Sequence, residues 1–236
     1  MKTISILIPV YNEENTILLI LEKINKEIRA IKSFKFEIIV INDGSKDNTN
    51  NLLKENTHLY NEYINNAQNR GKGFAIKIGL ERAKNEIILI QDADLEYLPN
   101  NYEQLLIPFL TVDADVVYGS RFRTTHYNRV MFFWHYLANN IITITSNIFT
   151  NLNFSDVEVG FKLFKKKLLN KITLQEKSFG FEIELTHKLA KIKPQVKFFE
   201  VGISYNARSY KEGKKIGFMD ALRAFYCIFK YSFLKK

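Results

Sequence analysis

The chain has 236 residues, 46% of them hydrophobic, and a formal net charge of +9, which suits one α/β domain with a tail and points to an anionic partner: a phosphorylated substrate, an acidic membrane face or nucleic acid. A lone cysteine, Cys227, excludes an intrachain disulfide, and with only four scattered histidines it argues against a zinc cage. With no uninterrupted apolar run of about 18 residues and no basic-then-apolar leader, neither a spanning helix nor a signal peptide is expected, and the chain is read as cytosolic.

Ile4 to Ile8 reads as a buried strand that ends at Pro9 and leads through Tyr11-Asn12-Glu13-Glu14-Asn15 into a helix. The face of that helix is set by Ile17, Ile20, Leu21, Ile24, Ile28 and Ile31 at helical period. Lys23, Lys26 and Lys32 stand among Glu22 and Glu27, so much of the positive charge is a solvated face. A second strand, Phe36 to Ile41, stops at Asn42-Asp43-Gly44-Ser45, and a helix follows from about Asp47. A short strand near Tyr63-Ile64 precedes Asn69-Arg70-Gly71-Lys72-Gly73, a helix through Ala83, and a strand from Glu86 to Gln91. Strand and helix alternate throughout this half, which predicts right-handed crossovers, a mostly parallel sheet, and ligands outside the carboxyl ends of the strands.

The second half is less regular. Val116 to Tyr118 leads to Gly119-Ser120-Arg121-Phe122, and an aromatic helix is expected from about Arg129 to Thr150. Strands are expected near Gly160 to Phe164 and Val196 to Val201, with a helix from about Glu182 to Ala190 between them and a last amphipathic helix over Gly217 to Phe233. No repeat or Pro/Gly-rich linker marks a boundary. The division read here is a domain over 1–216, with a nucleotide-binding half at about 1–118 and an acceptor half at about 119–216, followed by the helix within 217–236.

The strongest chemical signal is Gln91-Asp92-Ala93-Asp94, where an apolar strand delivers two carboxylates to its carboxyl end. In an extended backbone residues i and i+2 share a side, so Asp92 and Asp94 can converge on one hard cation across Ala93. Mg²⁺ and Mn²⁺ suit such oxygens and usually share their coordination with substrate phosphates. A turn or a helix N-cap uses the same residues. Pro9, Tyr11 and Glu13 could stack on a base and accept its N–H or a ribose hydroxyl, and Asp43-Gly44-Ser45 is either a base and ribose contact or a turn. Lys72 sits between two glycines at a helix start, without the spacing of a Walker loop; it is either a phosphate contact or a solvated lysine.

Taken together, these motifs resemble family 2 glycosyltransferases with the GT-A fold, and within them the polyprenyl- or dolichol-phosphate sugar transferases. The resemblance rests on Ile8 to Glu13, Asp43 to Ser45, Asn69 to Gly73, Asp92 to Glu96 and Gly119 to Phe122. It continues in Asp156 to Lys162, Gly180 to Glu184 and Tyr205 to Arg208. It implies a Rossmann-like, mostly parallel sheet flanked by helices. It also implies that Pro9, Tyr11, Glu13 and Asp43 hold the nucleoside, and that Asp92, Ala93, Asp94 and Lys72 meet the diphosphate. Asp92 and Asp94 would then bind Mg²⁺ or Mn²⁺, with Glu96 as an added ligand where the group often has Gln. Arg121 and Arg129 fall where the group positions an acceptor phosphate, Arg121 having a structural ion pair as its alternative. Arg208 and Lys214 resemble the late basic loop that closes over the nucleotide phosphates.

The implied reaction is inverting, metal-dependent transfer of a hexose from a nucleotide sugar to a polyprenyl phosphate at the cytosolic membrane face. The charge growing on the leaving phosphate is neutralised by the metal with Arg208 and Lys214. A lipid phosphate is already an anion and needs no base; a hydroxyl acceptor, of a saccharide or a protein, would need one, for which Glu182 or Glu184 is available unless both merely begin a helix. The last helix reads either as an interfacial helix on anionic lipid or as a packing element, including a contact with a second copy. A basic nucleic-acid-binding module is the non-enzymatic alternative; the aromatics follow apolar faces instead of an RNA-binding signature, so no nucleic-acid partner is expected.

Overall fold

The computed structural model describes residues 1–123, 129–206 and 218–233. Strand β1 (Lys2–Val10) is apolar on both faces because it lies in the middle of a covered sheet, with Ile4, Ile6, Leu7 and Ile8 wholly buried. It continues through Pro9, two residues beyond the strand expected from sequence. Its pairing with β4 (Ile87–Ile90) stops at Leu7 opposite Ile90, so the missing N–H of Pro9 falls where that ladder has ended.

The remaining strands are β2 (Phe34–Asn42), β3 (Glu62–Asn65), β5 (Val116–Ser120), β6 (Lys162–Lys165) and β7 (Phe198–Gly202). They form one seven-stranded sheet in the order β3-β2-β1-β4-β6-β5-β7. Ile6 lies opposite Ile38 on one side and Leu89 on the other, both in parallel register. The expected parallel sheet therefore holds, with one exception. Strand β6 runs antiparallel to both β4 and β5, and it carries the segment that follows Asp156 up against the Asp92 strand.

Helix α1 (Ile17–Ala30) buries Ile17, Ile20, Leu21 and Ile24, while Ile28 and Ile31 pack partly buried on the same core. Next come α2 (Thr49–Glu55), α3 (Lys72–Arg82) and α4 (Tyr102–Thr111). Helix α4 was not among the elements expected from sequence; Pro108 stands inside it, a residue that normally ends or kinks a helical pattern. Its face is nonetheless helical in period: Tyr102, Leu105, Leu106 and Phe109 are buried. Helix α5 (Phe133–Thr150) starts four residues later than expected, and α6 (Phe181–Ala190) and α7 (Phe218–Phe233) complete the described elements.

Helix α7 is built into the fold on one face. Ala224, Cys227, Ile228 and Tyr231 are buried with Ile142, Val157 and Ile183 in a second, smaller core. Glu176, 4% exposed, accepts hydrogen bonds from Tyr231 Oη at 2.7 Å and Lys230 Nζ at 3.0 Å, and pairs with Arg223. Burial alone would raise its pKa, but those bonds hold the Glu176 carboxyl well below the usual range. The opposite face of α7 is apolar and exposed at Met219, Leu222, Tyr226, Phe229 and Phe233.

Candidate active site

Strands β1, β2 and β4 are parallel neighbours, so the polar clusters at their carboxyl ends meet on one side of the sheet. They line a cavity of about 520 Å³ together with α3, α5 and α6, a size suited to a small organic ligand. Pro9, Tyr11, Glu13, Asp43, Lys72, Asp92, Ala93, Asp94, Glu96 and Arg121 all lie on its wall. Arg129 does not: it is exposed and its amide donates to the Tyr205 carbonyl at 3.3 Å. Arg208 and Lys214 lie outside the described residues.

The β1 and β2 ends are tied to each other. The Asn12 amide donates to Ser45 Oγ at 2.9 Å, the Lys46 amide to Asn12 Oδ1 at 2.8 Å, and the Glu13 amide to Thr49 Oγ1 at 3.0 Å. Asp43, 2% exposed, organises the next loop. Its Oδ2 accepts the amides of Arg70 (3.0 Å) and Gly71 (2.7 Å), and its Oδ1 accepts Asn66 Nδ2 at 2.9 Å.

That loop delivers Lys72 into the cavity between two carboxylates, 2.8 Å from Asp92 Oδ1 and 3.0 Å from Glu182 Oε1. Burial disfavours its ammonium, yet the charges of Asp92 and Glu182 outweigh burial and hold its pKa above the ordinary lysine value. Lys72 is thus the charged bridge of the site and not a solvated loop lysine. The loop depends on Gly71, whose φ is +99° and whose added Cβ would stand 2.4 Å from the Lys177 carbonyl oxygen. Gly71→Ala is expected to cost about 2 kcal/mol or more, since both the backbone and the contact are incompatible with a side chain; urea unfolding checks this.

The acidic run behaves differently from an extended strand. Strand β4 ends at Ile90, and the turn beyond it places Leu95 at a left-handed φ of +62°. Alternation therefore stops before the motif, and the turn, not an extended strand, sets the directions of Asp92 and Asp94. Among the described residues no three acidic, histidine or cysteine side chains form a metal-holding group. Asp92 turns to Lys72 and packs on Gly160, where a Cβ would sit 2.3 Å from Asp92 Oδ2. Asp94 Oδ1 accepts the Glu96 amide at 3.1 Å, an Asx turn, and Glu96 Oε2 accepts Tyr205 Oη at 3.0 Å. Gln91 fixes this turn from below, its Nε2 donating to the carbonyls of Asp92 (2.8 Å) and Tyr97 (3.0 Å) and its Oε1 accepting Tyr102 Oη.

Arg121 reaches the cavity wall but is clamped. Its Nε lies 2.6 Å from Asp156 Oδ2 and its Nη2 2.7 Å from Asp156 Oδ1, a bidentate pair. Nη2 also donates to Asn139 Oδ1 at 3.2 Å. The ion pair that was the alternative reading of Arg121 is present. Burial works against its charge, but Asp156 holds its pKa well above the ordinary value, so it stays ionised while Asp156 balances its charge.

Residues 5–173 match the sequence profile described as glycosyl transferase family 2. The chain belongs to that family. A dolichyl-phosphate β-glucosyltransferase of Dictyostelium discoideum is 27% identical to this glycosyltransferase over 221 residues, 86% of this chain and 66% of the relative. An uncharacterized protein of Methanocaldococcus jannaschii is 30% identical over 228 residues, 89% of this chain and 93% of that one. The chain thus spans just under two thirds of the Dictyostelium relative's length. Glucosyl-3-phosphoglycerate synthase from Mycobacterium tuberculosis, solved with Mn²⁺, UDP and phosphoglyceric acid, superposes with a TM-score of 0.70 at 18% identity, over 100% of this chain and 80% of that one. At that identity the likeness is one of fold, and the fold is GT-A.

Within this glycosyltransferase, the two glutamates of α6 part company. Glu182 lines the cavity. Glu184 is fully buried and spends both oxygens on structure, accepting the amides of Gln175 and Glu176 at 2.7 Å each and Lys188 Nζ at 2.6 Å. Successive helical positions i and i+2 point to different faces, which separates the roles. Sequence reasoning gave no role to Glu158, although it stands inside the Asp156 to Lys162 motif. Its carboxyl lines the cavity, and burial, followed by the charge of Glu182, pushes it up to about 7. Tyr205 and the α5 residues Trp134 and His135 were also unassigned cavity residues; their places depend on tertiary packing.

Proposed function

We propose that this enzyme transfers a hexose, glucose by the names of its curated relatives, from a nucleoside diphosphate sugar to a polyprenyl phosphate at the cytosolic membrane face, with inversion at C1. The observation that carries this reading is the composition of the cavity wall. One side consists of the polar ends of β1, β2 and β4; the other includes Trp134, Ala138 and Ile142 of α5 and Ala221 of α7. The outer faces of those two helices are apolar and exposed, at Phe133, Ile141, Ile144 and Ile148 on α5 and at Met219 and Phe233 on α7. Phe149 of α5 is in edge contact with Phe229 and Phe233 of α7, joining the two faces. An exposed patch of this kind marks a membrane or partner surface, and the net charge of +9 favours an anionic membrane. Among the described residues no helix is long and apolar enough to cross a membrane, so the reading is of a chain that lies on the lipid and draws the acceptor phosphate into the cavity.

On the donor side, Pro9, Tyr11 and Glu13 take the base and ribose, with Asp43 holding the loop that brings Lys72 to the diphosphate. The donor set fits a divalent cation shared with substrate: hard carboxylate oxygens, too few among the described residues for a closed cage, match Mg²⁺ or Mn²⁺, which take one or two carboxylates plus substrate phosphates. Asp94 would hold the ion, with Asp92 and Glu96 beside it; when bound it neutralises charge on the leaving diphosphate. Lys72 adds a positive charge on the same wall that offsets part of the charge of Asp92 and Glu182, and Arg121 brings N–H donors to it. The acceptor phosphate, already ionised near neutral pH, attacks C1 without a general base, and Arg208 and Lys214 would close over the phosphates.

The test is incubation with labelled UDP-glucose, and with GDP- and dTDP-hexoses in parallel, plus Mn²⁺ and polyprenyl phosphate. An organic-extractable sugar lipid that disappears with EDTA is expected. Product only with a hydroxyl acceptor, or none with any donor, overturns the lipid-phosphate reading.

A further inference from the structure

Among the described residues, two buried side-chain oxygens have no hydrogen-bond partner: Oε1 of Glu158 and Oε2 of Glu182. Both residues line the same cavity. Glu182 is 5% exposed and its other oxygen is held by Lys72 at 3.0 Å, so its unsatisfied oxygen is no accident of a loose side chain. An unmade buried acceptor costs more than a typical hydrogen bond returns, and native folds retain few of them. Two on one cavity wall call for a ligand that brings hydrogen-bond donors.

The chemistry of that ligand is constrained by charge. A phosphate or carboxylate meets only repulsion from two carboxyl groups. A cation is poorly matched, because Lys72 already bridges Glu182, and Lys162 and Arg121 add their charges to the field at Glu158. Neutral hydroxyls remain, and they are the donors a sugar supplies. The position agrees: Gly160, two residues beyond Glu158, packs directly on Asp92 Oδ2, so this wall adjoins the carboxylate next to the diphosphate site.

We propose that Glu158, together with Glu182, forms a two-carboxyl subsite that takes hydroxyls of the donor sugar and restricts the donor to neutral hexoses, excluding sugars that carry a carboxylate. This rests on the nucleotide-sugar reading above. The groups acting on Glu158 are Glu182 of α6, Lys162 of β6, Arg121 after β5, and Asp156 on its own segment. Burial and then Glu182 push its carboxyl up to about 7, with Lys162 and Arg121 opposing and Asp156 adding to the rise. Below that pH the proton on Glu158 removes one negative charge facing the donor's anionic diphosphate; above it the repulsion returns. Sugar-nucleotide binding therefore weakens as pH rises through about 7.

Calorimetry on the full chain with Mn²⁺ tests this, using UDP, GDP and dTDP to find the base that binds, then UDP-glucose and UDP-glucuronate, or the same pair of sugars on that base, as probes. Wild type is expected to bind UDP-glucose about 10-fold tighter than UDP-glucuronate. Glu158→Ala is expected to weaken UDP-glucose about 10-fold while UDP itself binds no more weakly than to wild type, which also reports that the variant is folded. Glu158→Gln, the isostere of the protonated acid, keeps tight UDP-glucose binding and loses the fall through about pH 7, leaving only the change set by Lys162, whose ammonium burial pushes down to about 8. Equal affinities of wild type for the two sugars, or an unchanged UDP-glucose affinity in Glu158→Ala, overturns the subsite. If Glu158→Ala fails to bind UDP, the pH dependence of Glu158→Gln decides: a profile like that of wild type overturns the proposal. A wild-type protein that binds none of UDP, GDP and dTDP overturns the nucleotide-sugar reading itself, and the subsite with it.

Discussion

Asp94→Asn is expected to lower kcat/KM for sugar transfer by about 10²- to 10³-fold, the loss typical of removing one preorganised electrostatic contact to the charge that develops in the transition state. The substitution is chosen because it isolates charge from geometry. Asp94 Oδ1 accepts the Glu96 amide in the Asx turn that follows β4, and an asparagine oxygen can accept the same bond. The turn, with Leu95 in its left-handed conformation, therefore survives, and urea unfolding should still be cooperative. What is lost is the negative oxygen offered to a divalent ion beside the diphosphate. Titrating Mn²⁺ against activity separates the effects: wild type should saturate at lower Mn²⁺ than the variant. Transfer by the wild-type enzyme that is indifferent to EDTA, or a variant as active as wild type, sinks the metal role of Asp94.

The largest expected effect on stability comes from Asp156→Ala, about 3–5 kcal/mol, because it strands a buried guanidinium. The Asp156 side chain is fully buried and that of Arg121 is 9% exposed. Asp156 takes Nε and Nη2 of Arg121, and also the Arg121 amide at 3.0 Å. With the carboxylate gone, a charge that burial disfavours has lost its main counterweight. Urea denaturation of the variant measures the loss. Arg121→Met combined with Asp156→Leu should recover much of it, since a buried pair replaced by apolar groups of similar volume is often close to neutral. That double variant should still be poorly active, because the guanidinium on the cavity wall goes with the arginine. Full activity in the double variant would mean that Arg121 serves the fold alone.

These cases show where the amino-acid sequence speaks for itself and where it does not. The parallel half is legible because β1, β2 and β4 are isoleucine-rich apolar runs and α1 repeats its apolar face at helical period. The strand-end clusters then follow from the rule that parallel strands present their carboxyl ends together. Helix α4 was passed over, although Tyr102, Leu105, Leu106 and Phe109 repeat at helical period; the burial of that face holds the helix despite Pro108. The antiparallel course of β6 is a long-range pairing with no local signature. The extended geometry assumed for Asp92 and Asp94 does not apply, because the strand stops at Ile90, before Gln91 and the turn. The character of Glu158 depends on Glu182, Lys162 and Arg121, which lie far from it in sequence or on other elements; no spacing rule reports on such a neighbourhood.

The tie between Glu176 and α7 bears on how this enzyme can be dissected. The same short segment that grips Arg223, Lys230 and Tyr231 of α7 through the Glu176 side chain also supplies the Lys177 carbonyl that accepts the Phe74 amide at 3.0 Å at the start of α3. Its backbone closes over Gly71 and Gly73, on either side of Lys72. A truncated protein ending before Phe218 therefore would not be a catalytic domain shorn of a surface helix. It would carry an orphaned anion directly behind the loop that presents Lys72, and any loss of activity in it would mix weakened attachment with a disordered donor loop. Point substitutions on the outer face of α7, at Met219 or Phe233, leave that tie alone and separate the two.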